Sequence, residues 1–310
     1  MSPVLAPGKS RAAALSVASN SALILLKLVA GALTGSVSIL TEAMHSGVDL
    51  MASLLAFLSV RKADEPADEG HRYGHDKIEN LAAAAEGMLI LVGSGIIVYQ
   101  AVRRLAGHGH IESLGFGIGV VAFSAVVNLL VSARLARAAR ATESAALEGD
   151  AAHLRTDAFT SLGVLAGLVL VQVTGATWVD PAVALLVAVA IVISGARILS
   201  RSGRVLVDEA LPEEELEAIR IELLDFGPSG VAGYHKLRTR RAGARRYVDL
   251  HGQFRSGTTL EGAHATAHAL QDAIRRRLGN ADVLIHLEPA DRVQPGTEIP
   301  DAPSAHSGAR

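Results

Sequence analysis

His45 and Asp49 stand four residues apart in an otherwise apolar stretch, L-T-E-A-M-H-S-G-V-D-L-M (Leu40 to Met51). His153 and Asp157 repeat that spacing in D-A-A-H-L-R-T-D (Asp150 to Asp157). On a helix, positions i and i+4 share one face, so each pair presents an imidazole beside a carboxylate. Two such faces brought together offer two nitrogens and two oxygens, a tetrahedral set suited to Zn²⁺. A carboxylate in apolar surroundings is costly unless something pairs with it. A divalent cation shared by both aspartates would neutralise them. One H-x3-D is explained as readily by a core polar contact or a helix-packing hydrogen bond. Two, in separate apolar segments, point to function, because ionisable groups inside membrane spans are expensive to keep.

Two further clusters have ligand chemistry. Asp68, His71 and His75 fall within A-D-E-G-H-R-Y-G-H-D-K-I-E (Ala67 to Glu79), with the types and close spacing of a surface metal site. An ordinary polar loop would look much the same. Towards the C-terminus, His286 and Glu288 are i and i+2 in a strand-like run, so they share a face. His251 lies on a neighbouring strand pattern and His235 on another, while His264 and His268 are four apart on a helical one. Any one of these could be an incidental surface histidine, but together they read as a third metal site.

The elements that must carry these groups follow from hydropathy. Half of the 310 residues are hydrophobic and the mean hydropathy is +0.33, more apolar than a soluble domain needs. Apolar stretches at Ala12–Leu33, Val37–Val60, Ile78–Ala101, Leu114–Leu135, His153–Val173 and Val179–Leu199 approach or reach the ~20 residues of a membrane helix. Lys9, Arg11, Arg61, Lys62, Arg72, Lys77, Arg134, Arg137, Arg140, Arg197, Arg201 and Arg204 fall on one side, against Arg103 and Arg104 on the other. The positive-inside rule then places both termini in the cytoplasm. With no cysteine and four methionines, disulfides, thiolate metal sites and soft Cu(I) sites are excluded. The N-terminus has no signal-peptide pattern, so the first span is expected to be retained.

Past Arg204 the composition turns amphipathic. Helical patterns at Leu211–Gly227 and Leu260–Leu278, and strand patterns at Val231–Arg240, Tyr247–Phe254 and Ala281–Pro289, give the order αββαβ. The expected organisation is a cytoplasmic N-terminal segment (1–11), a six-helix transmembrane domain (12–204), a cytoplasmic metal-binding dimerisation domain (205–291) and a Pro/Ser/Ala-rich disordered tail (292–310).

These residues together resemble the cation diffusion facilitator family, and within it the bacterial zinc/iron efflux (YiiP) type. The likeness covers about Val17 to Pro289. It rests on the paired H-x3-D, on HRYGHDKIENLAA after the second span, on VDEALPEEE, and on HKLRTRRAG and VLIHLEP in the soluble part. The resemblance implies an α-helical membrane protein with six transmembrane helices and a cytoplasmic αββαβ, metallochaperone-like (ferredoxin-like) domain. It also implies a homodimer in the bacterial inner membrane that exports divalent cations in exchange for protons. On that likeness His45, Asp49, His153 and Asp157 form the transport site, and Asp68, His71 and His75 the loop site. His235, His251, His264, His286 and Glu288 form the cytoplasmic site, and Lys77 with Asp208 a charge pair holding the membrane and soluble parts together. The chain departs from the type in having His45 for the usual Asp, Glu288 for the usual Asp, and Lys236 where an acid often stands. A nitrogen replacing an oxygen at residue 45 favours Zn²⁺ or Co²⁺ over Mn²⁺ and Fe²⁺, with Cd²⁺ another candidate cargo.

Rival functions fit less well. A membrane metallohydrolase needs a general base beside an open metal position. There is no H-E-x-x-H, and Asp150, one turn before His153, reads as an ordinary solvated helix end. The basic run RTRRAGARR (Arg238 to Arg246) reads as a solvated turn facing anionic lipid rather than as a nucleic-acid site. A metal sensor would use the same ligands without translocation.

Overall fold

The computed structural model describes residues 7–34, 37–106, 117–176, 178–292 and 299. They divide into two compact units, Met1–Arg204 and Val205–Arg310.

The first unit is helical. Its elements are α1 (Pro7–Thr34), α2 (Val37–Ala63), α3 (Lys77–Leu105), α4 (Gly117–Thr142), α5 (Ala145–Thr174) and α6 (Val179–Leu206). Among the described residues, these six helices are long and apolar enough to cross a membrane. Leu33, Met51, Val92, Leu130 and Leu186 leave large apolar surfaces exposed around them, which lipid, not water, would solvate. The interior is built largely of small residues. Ala13, Ala82, Ala139, Ala146 and Ala151 are buried against Leu135, Leu147 and Leu154, so the backbones approach closely. At the α3–α6 crossing, a Cβ on Gly87 would lie 3.0 Å from the Leu199 backbone nitrogen. At the start of α6, Arg104 donates to Asp180 Oδ2 at 2.8 Å, and Asp180 is 3% exposed.

The fifth helix starts earlier than hydropathy suggests. It was expected from His153 but begins at Ala145, where the Ser144 hydroxyl accepts from the Leu147 N–H at 3.3 Å and caps it. Charged Glu148 and Asp150 depress a hydropathy window without breaking a helix. His153 is therefore an interior helical residue. Asp150 is wholly buried, contrary to its reading as a solvated end.

The second unit has the expected αββαβ order: α7 (Glu213–Asp225), β1 (Val231–Ala242), β2 (Arg245–Phe254), α8 (Leu260–Leu278) and β3 (Ala281–Pro289). β1 and β2 pair antiparallel about a short turn at Gly243 (φ 54°), a left-handed conformation that glycine adopts freely. β3 joins β2 in parallel, which requires the crossover that α8 supplies. Thr259 caps α8 by accepting from Gly262 N–H at 3.1 Å, and Arg275, Arg276 and Arg277 fill its last turn, complementing the helix dipole. Val248, Leu250, Val283 and Ile285 alternate onto the sheet face that packs with Ile219, Leu223, Leu270 and Ile274. His251, His286 and Glu288 take the opposite parity.

The expected disordered tail lies mainly outside the described residues. Ile299 is an exception: it is buried in the same core and its N–H donates to the Ala232 carbonyl at 2.9 Å. A tail otherwise rich in Pro, Ser and Ala hid one apolar anchor.

Candidate metal centres

The H-x3-D pairs of α2 and α5 converge. His45 Nε2 lies 3.9 Å from Asp49 Oδ1, while His153 Nε2 lies 3.5 Å from Asp49 Oδ1 and 3.7 Å from Asp157 Oδ2. Bonds of 2.0–2.1 Å to a tetrahedral zinc separate neighbouring ligand atoms by about 3.3–3.4 Å. The three measured separations are a few tenths of an ångström longer than that; His45, Asp49 and Asp157 hold ligand atoms within 4.8 Å of one another, and His153 stands beside both carboxylates. Asp49 Oδ1, both His153 nitrogens and Asp157 Oδ2 are buried without hydrogen-bond partners. Such atoms are expensive in a protein interior unless a cation or proton serves them. Beside them Lys27, buried on α1, donates to Ser46 Oγ at 2.7 Å.

The loop cluster also closes locally. The backbone N–H groups of His71 and Gly70 donate to Asp68 Oδ1 at 2.6 and 2.9 Å. The first of these chiefly holds the Asp68 carboxyl below its usual range. His75 Nε2 stands 3.3 Å from Asp68 Oδ2, and His71 Nδ1 3.4 Å from Oδ1. Both nitrogens of the buried His75 ring lack hydrogen-bond partners. This set, too, is shaped to receive a cation.

In the second unit, register aligns the histidines. His235 is the Cα partner of His251, and His251 of His286, so the three form one row across β1, β2 and β3. A bulge follows His235, where Lys236 takes φ 50°, a departure from strand geometry of the kind that re-aims neighbouring side chains. His235 Nε2 and His251 Nδ1 each donate to Glu288, both at 2.7 Å. The bond from His251, then that from His235, hold Glu288 down to about 2. His286 Nε2 is farther, at 3.9 Å from Glu288 Oε1. Within one protomer His264 does not join this group; its ring lies 4.4 Å from that of His268 on α8. Lys77 opens α3 in the first unit. Asp208 belongs to the second, where it accepts from Arg240 at 3.4 Å.

This third cluster differs from the first in being self-satisfied. A metal must displace two imidazole N–H···carboxylate bonds to enter it, so cation and proton compete there. Glu288 ionises between its usual 4.5 and about 2, hence any stabilisation from its folded interactions is complete above pH 4.5 and lost only as pH falls through about 2. Acid release of metal above pH 4.5 must come from the imidazoles. In a chain already lacking Asp49 and Asp68, Glu288→Gln should weaken zinc binding by a similar factor at pH 7.5 and pH 6. His251→Ala should make the pH dependence shallower; calorimetry at the two pH values checks both.

Glu86 was passed over in the sequence, and Asp150 was read as a solvated helix end. Both side chains are wholly buried in the membrane unit. The signal was present, since an ionisable residue inside an apolar span is itself a marker.

Comparison with known proteins gives one consistent result. Residues 13–207 match the cation efflux transmembrane domain, and residues 211–290 match the cation efflux protein cytoplasmic domain. The chain is 35% identical over 279 residues to an uncharacterised transporter of Synechocystis sp., covering 90% of each chain. It is 35% identical over 298 residues to the cation-efflux pump FieF of Serratia proteamaculans, covering 96% of this chain and 98% of that one. A solved structure of CzrB in its Zn form is 34% identical, covering 28% of this chain and 98% of that one, with a TM-score of 0.27. The chain belongs to the cation efflux (cation diffusion facilitator) family. It is an integral membrane transporter that exports divalent metal cations, and its cytoplasmic domain is the family's dimerisation domain, making the working unit a homodimer.

Proposed function

We propose that the cargo is Zn²⁺, carried from the cytoplasm by the tetrad His45, Asp49, His153 and Asp157 in exchange for protons. One observation carries this reading: His45, Asp49 and Asp157 bring ligand atoms within 4.8 Å of one another in the membrane unit, His153 Nε2 stands 3.5 and 3.7 Å from the two carboxylates, and four atoms of Asp49, His153 and Asp157 are buried and unpartnered. Nitrogen ligands suit zinc better than Mn²⁺ or Fe²⁺. The proton follows from the same geometry. His153 lies between Asp49 and Asp157, so a proton on its ring and a cation among the three occupy one place and exclude one another. A more acidic exterior would favour the proton and release the metal. The excess of Lys and Arg on one side orients the transporter in the inner membrane with both termini cytoplasmic. The loop cluster receives the cation near the surface, and the cytoplasmic cluster regulates rather than conducts. Zinc added to proteoliposomes should drive counter-movement of protons, read by an entrapped pH dye. Zinc entry without proton movement would remove the exchange from this reading.

The same geometry predicts selectivity. His45→Asp replaces nitrogen by oxygen and adds negative charge without shifting α2, so the ratio of zinc to manganese or cadmium transport should fall by about tenfold, corresponding to about 1.4 kcal/mol of ligand preference. Rates in matched vesicles test this, and an unchanged ratio would mean that helix spacing, not ligand type, sets selectivity.

A further inference from the structure

Glu86 lies in the third turn of α3 with its side chain wholly enclosed, and neither carboxyl oxygen has a hydrogen-bond partner. Asp150 on α5 is equally enclosed. Ser53 Oγ of α2 donates to its Oδ1 at 3.0 Å, and its Oδ2 has no partner. Ser53 is held in turn by Ser16 Oγ at 2.9 Å and by the Asn20 amide at 2.6 Å. Hydroxyl groups thus serve Asp150, and none serves Glu86.

The Glu86 carboxyl packs against the backbone of Gly149, so near that a Cβ there would collide with Oε2. This leaves no room on that side for a cation with its ligand shell. The charged groups that act on Glu86 are Asp150 and His153, both on α5. The other neighbours bring no countercharge: α2 turns the Ser53 hydroxyl towards Asp150, and α6 presents Gly195 and Leu199 to the adjacent Gly87. His153 is the one positive group among those acting on Glu86, Asp150 opposes it, and a wholly enclosed carboxyl with no hydrogen-bond donor is better tolerated as the acid than as the carboxylate. Glu86 is none of the metal ligands.

We propose that Glu86 holds an exchangeable proton, backed by Asp150, and releases it when a cation fills the tetrad. The inference rests on the proton-exchange reading and adds to it a proton site separate from the metal ligands. Asp150 precedes His153 by one helical turn, so a dication that displaces the single proton of His153 raises the positive charge acting on Glu86. The carboxyl O–H bond then breaks, the electron pair stays on Glu86, and the proton is taken up by water. Departure of the cation reverses the step.

The test uses the full-length protein in lipid nanodiscs. Infrared difference spectra with and without Zn²⁺ should show loss of a protonated-carboxyl C=O band in the wild type. That band should be missing from Glu86→Gln and moved in frequency in Glu86→Asp. Calorimetry in buffers of different ionisation enthalpy should count about one fewer proton released per zinc in Glu86→Gln. A band and a proton count both unchanged in Glu86→Gln would overturn the proposal. If that variant does not fold, Glu86→Asp decides, and an unmoved band overturns it. Wild-type binding that releases no proton at all would instead remove the exchange reading, a result separable from the Glu86 band.

Discussion

Asp49→Ala is expected to lower zinc transport by more than about 100-fold while the dimer remains folded. Asp49 Oδ1 lies 3.9 Å from His45 Nε2 and 3.5 Å from His153 Nε2, so it joins the ligands of α2 to those of α5. Loss of an outer-shell partner typically costs ~10–100-fold in metal affinity or activity, and loss of a direct ligand should exceed this. Folding should survive, because Asp49 Oδ1 has no hydrogen bond to lose and removing it relieves a buried charge. Zinc flux in proteoliposomes and size-exclusion chromatography of the same preparation measure the two halves. Wild-type flux from this variant would remove the tetrad from the transport path. Aggregation would show that the aspartate is structural.

A large effect on stability is expected at the other end of α3. Arg104→Ala should destabilise the membrane unit by about 2–3 kcal/mol. Breaking a buried ion pair typically costs ~3–5 kcal/mol because the surviving charge is stranded, and the value is reduced here because the Arg104 side chain is 40% exposed. Asp180 has no space in which to relax: a Cβ on Gly167 would lie 2.6 Å from its Oδ1, so the carboxylate is pressed against α5. Asp180→Asn in the Arg104→Ala background should restore much of the loss by removing that charge. The apparent Tm in detergent, compared among the three variants, gives the answer. Equal Tm for Arg104→Ala and the wild type would mean that the pair is solvated.

What the sequence made legible depended on how local each feature is. The His-x3-Asp pairs are set by the helical repeat and the Asp68 cluster by a short loop, so spacing was enough to raise both as candidates, though for the loop it could not tell a metal site from an ordinary polar turn. His286 and Glu288 followed from strand alternation. Glu86 with Gly149, and Asp150 with Ser53, are different: they meet only because α2, α3 and α5 pack in one arrangement, which no local pattern encodes. Asp150 was misjudged because charge near an expected helix start usually means solvent, and the helix in fact started at Ala145. His264 was assigned through family likeness. The fold of one protomer places it beside His268, a pairing that i,i+4 spacing had already made visible. Ile299 escaped because composition averages over a segment, while a single side chain docks.

The histidine row across the small sheet bears on when the cytoplasmic site comes into being. His235 and His251 lie on the β1–β2 hairpin, which is contiguous in the chain and can form as soon as both strands have left the ribosome. Glu288, which both rings contact, lies on β3 and reaches them only after α8 has crossed over. Before β3 is made the chain has two imidazoles and no bridging carboxylate, so a cation there would be held more weakly than in the finished domain. Once β3 is seated, any cation bound between the rings and Glu288 adds its binding free energy to the docking of that strand alone. Metal supply would then act on the maturation of the domain, with β3 as the last element to be locked.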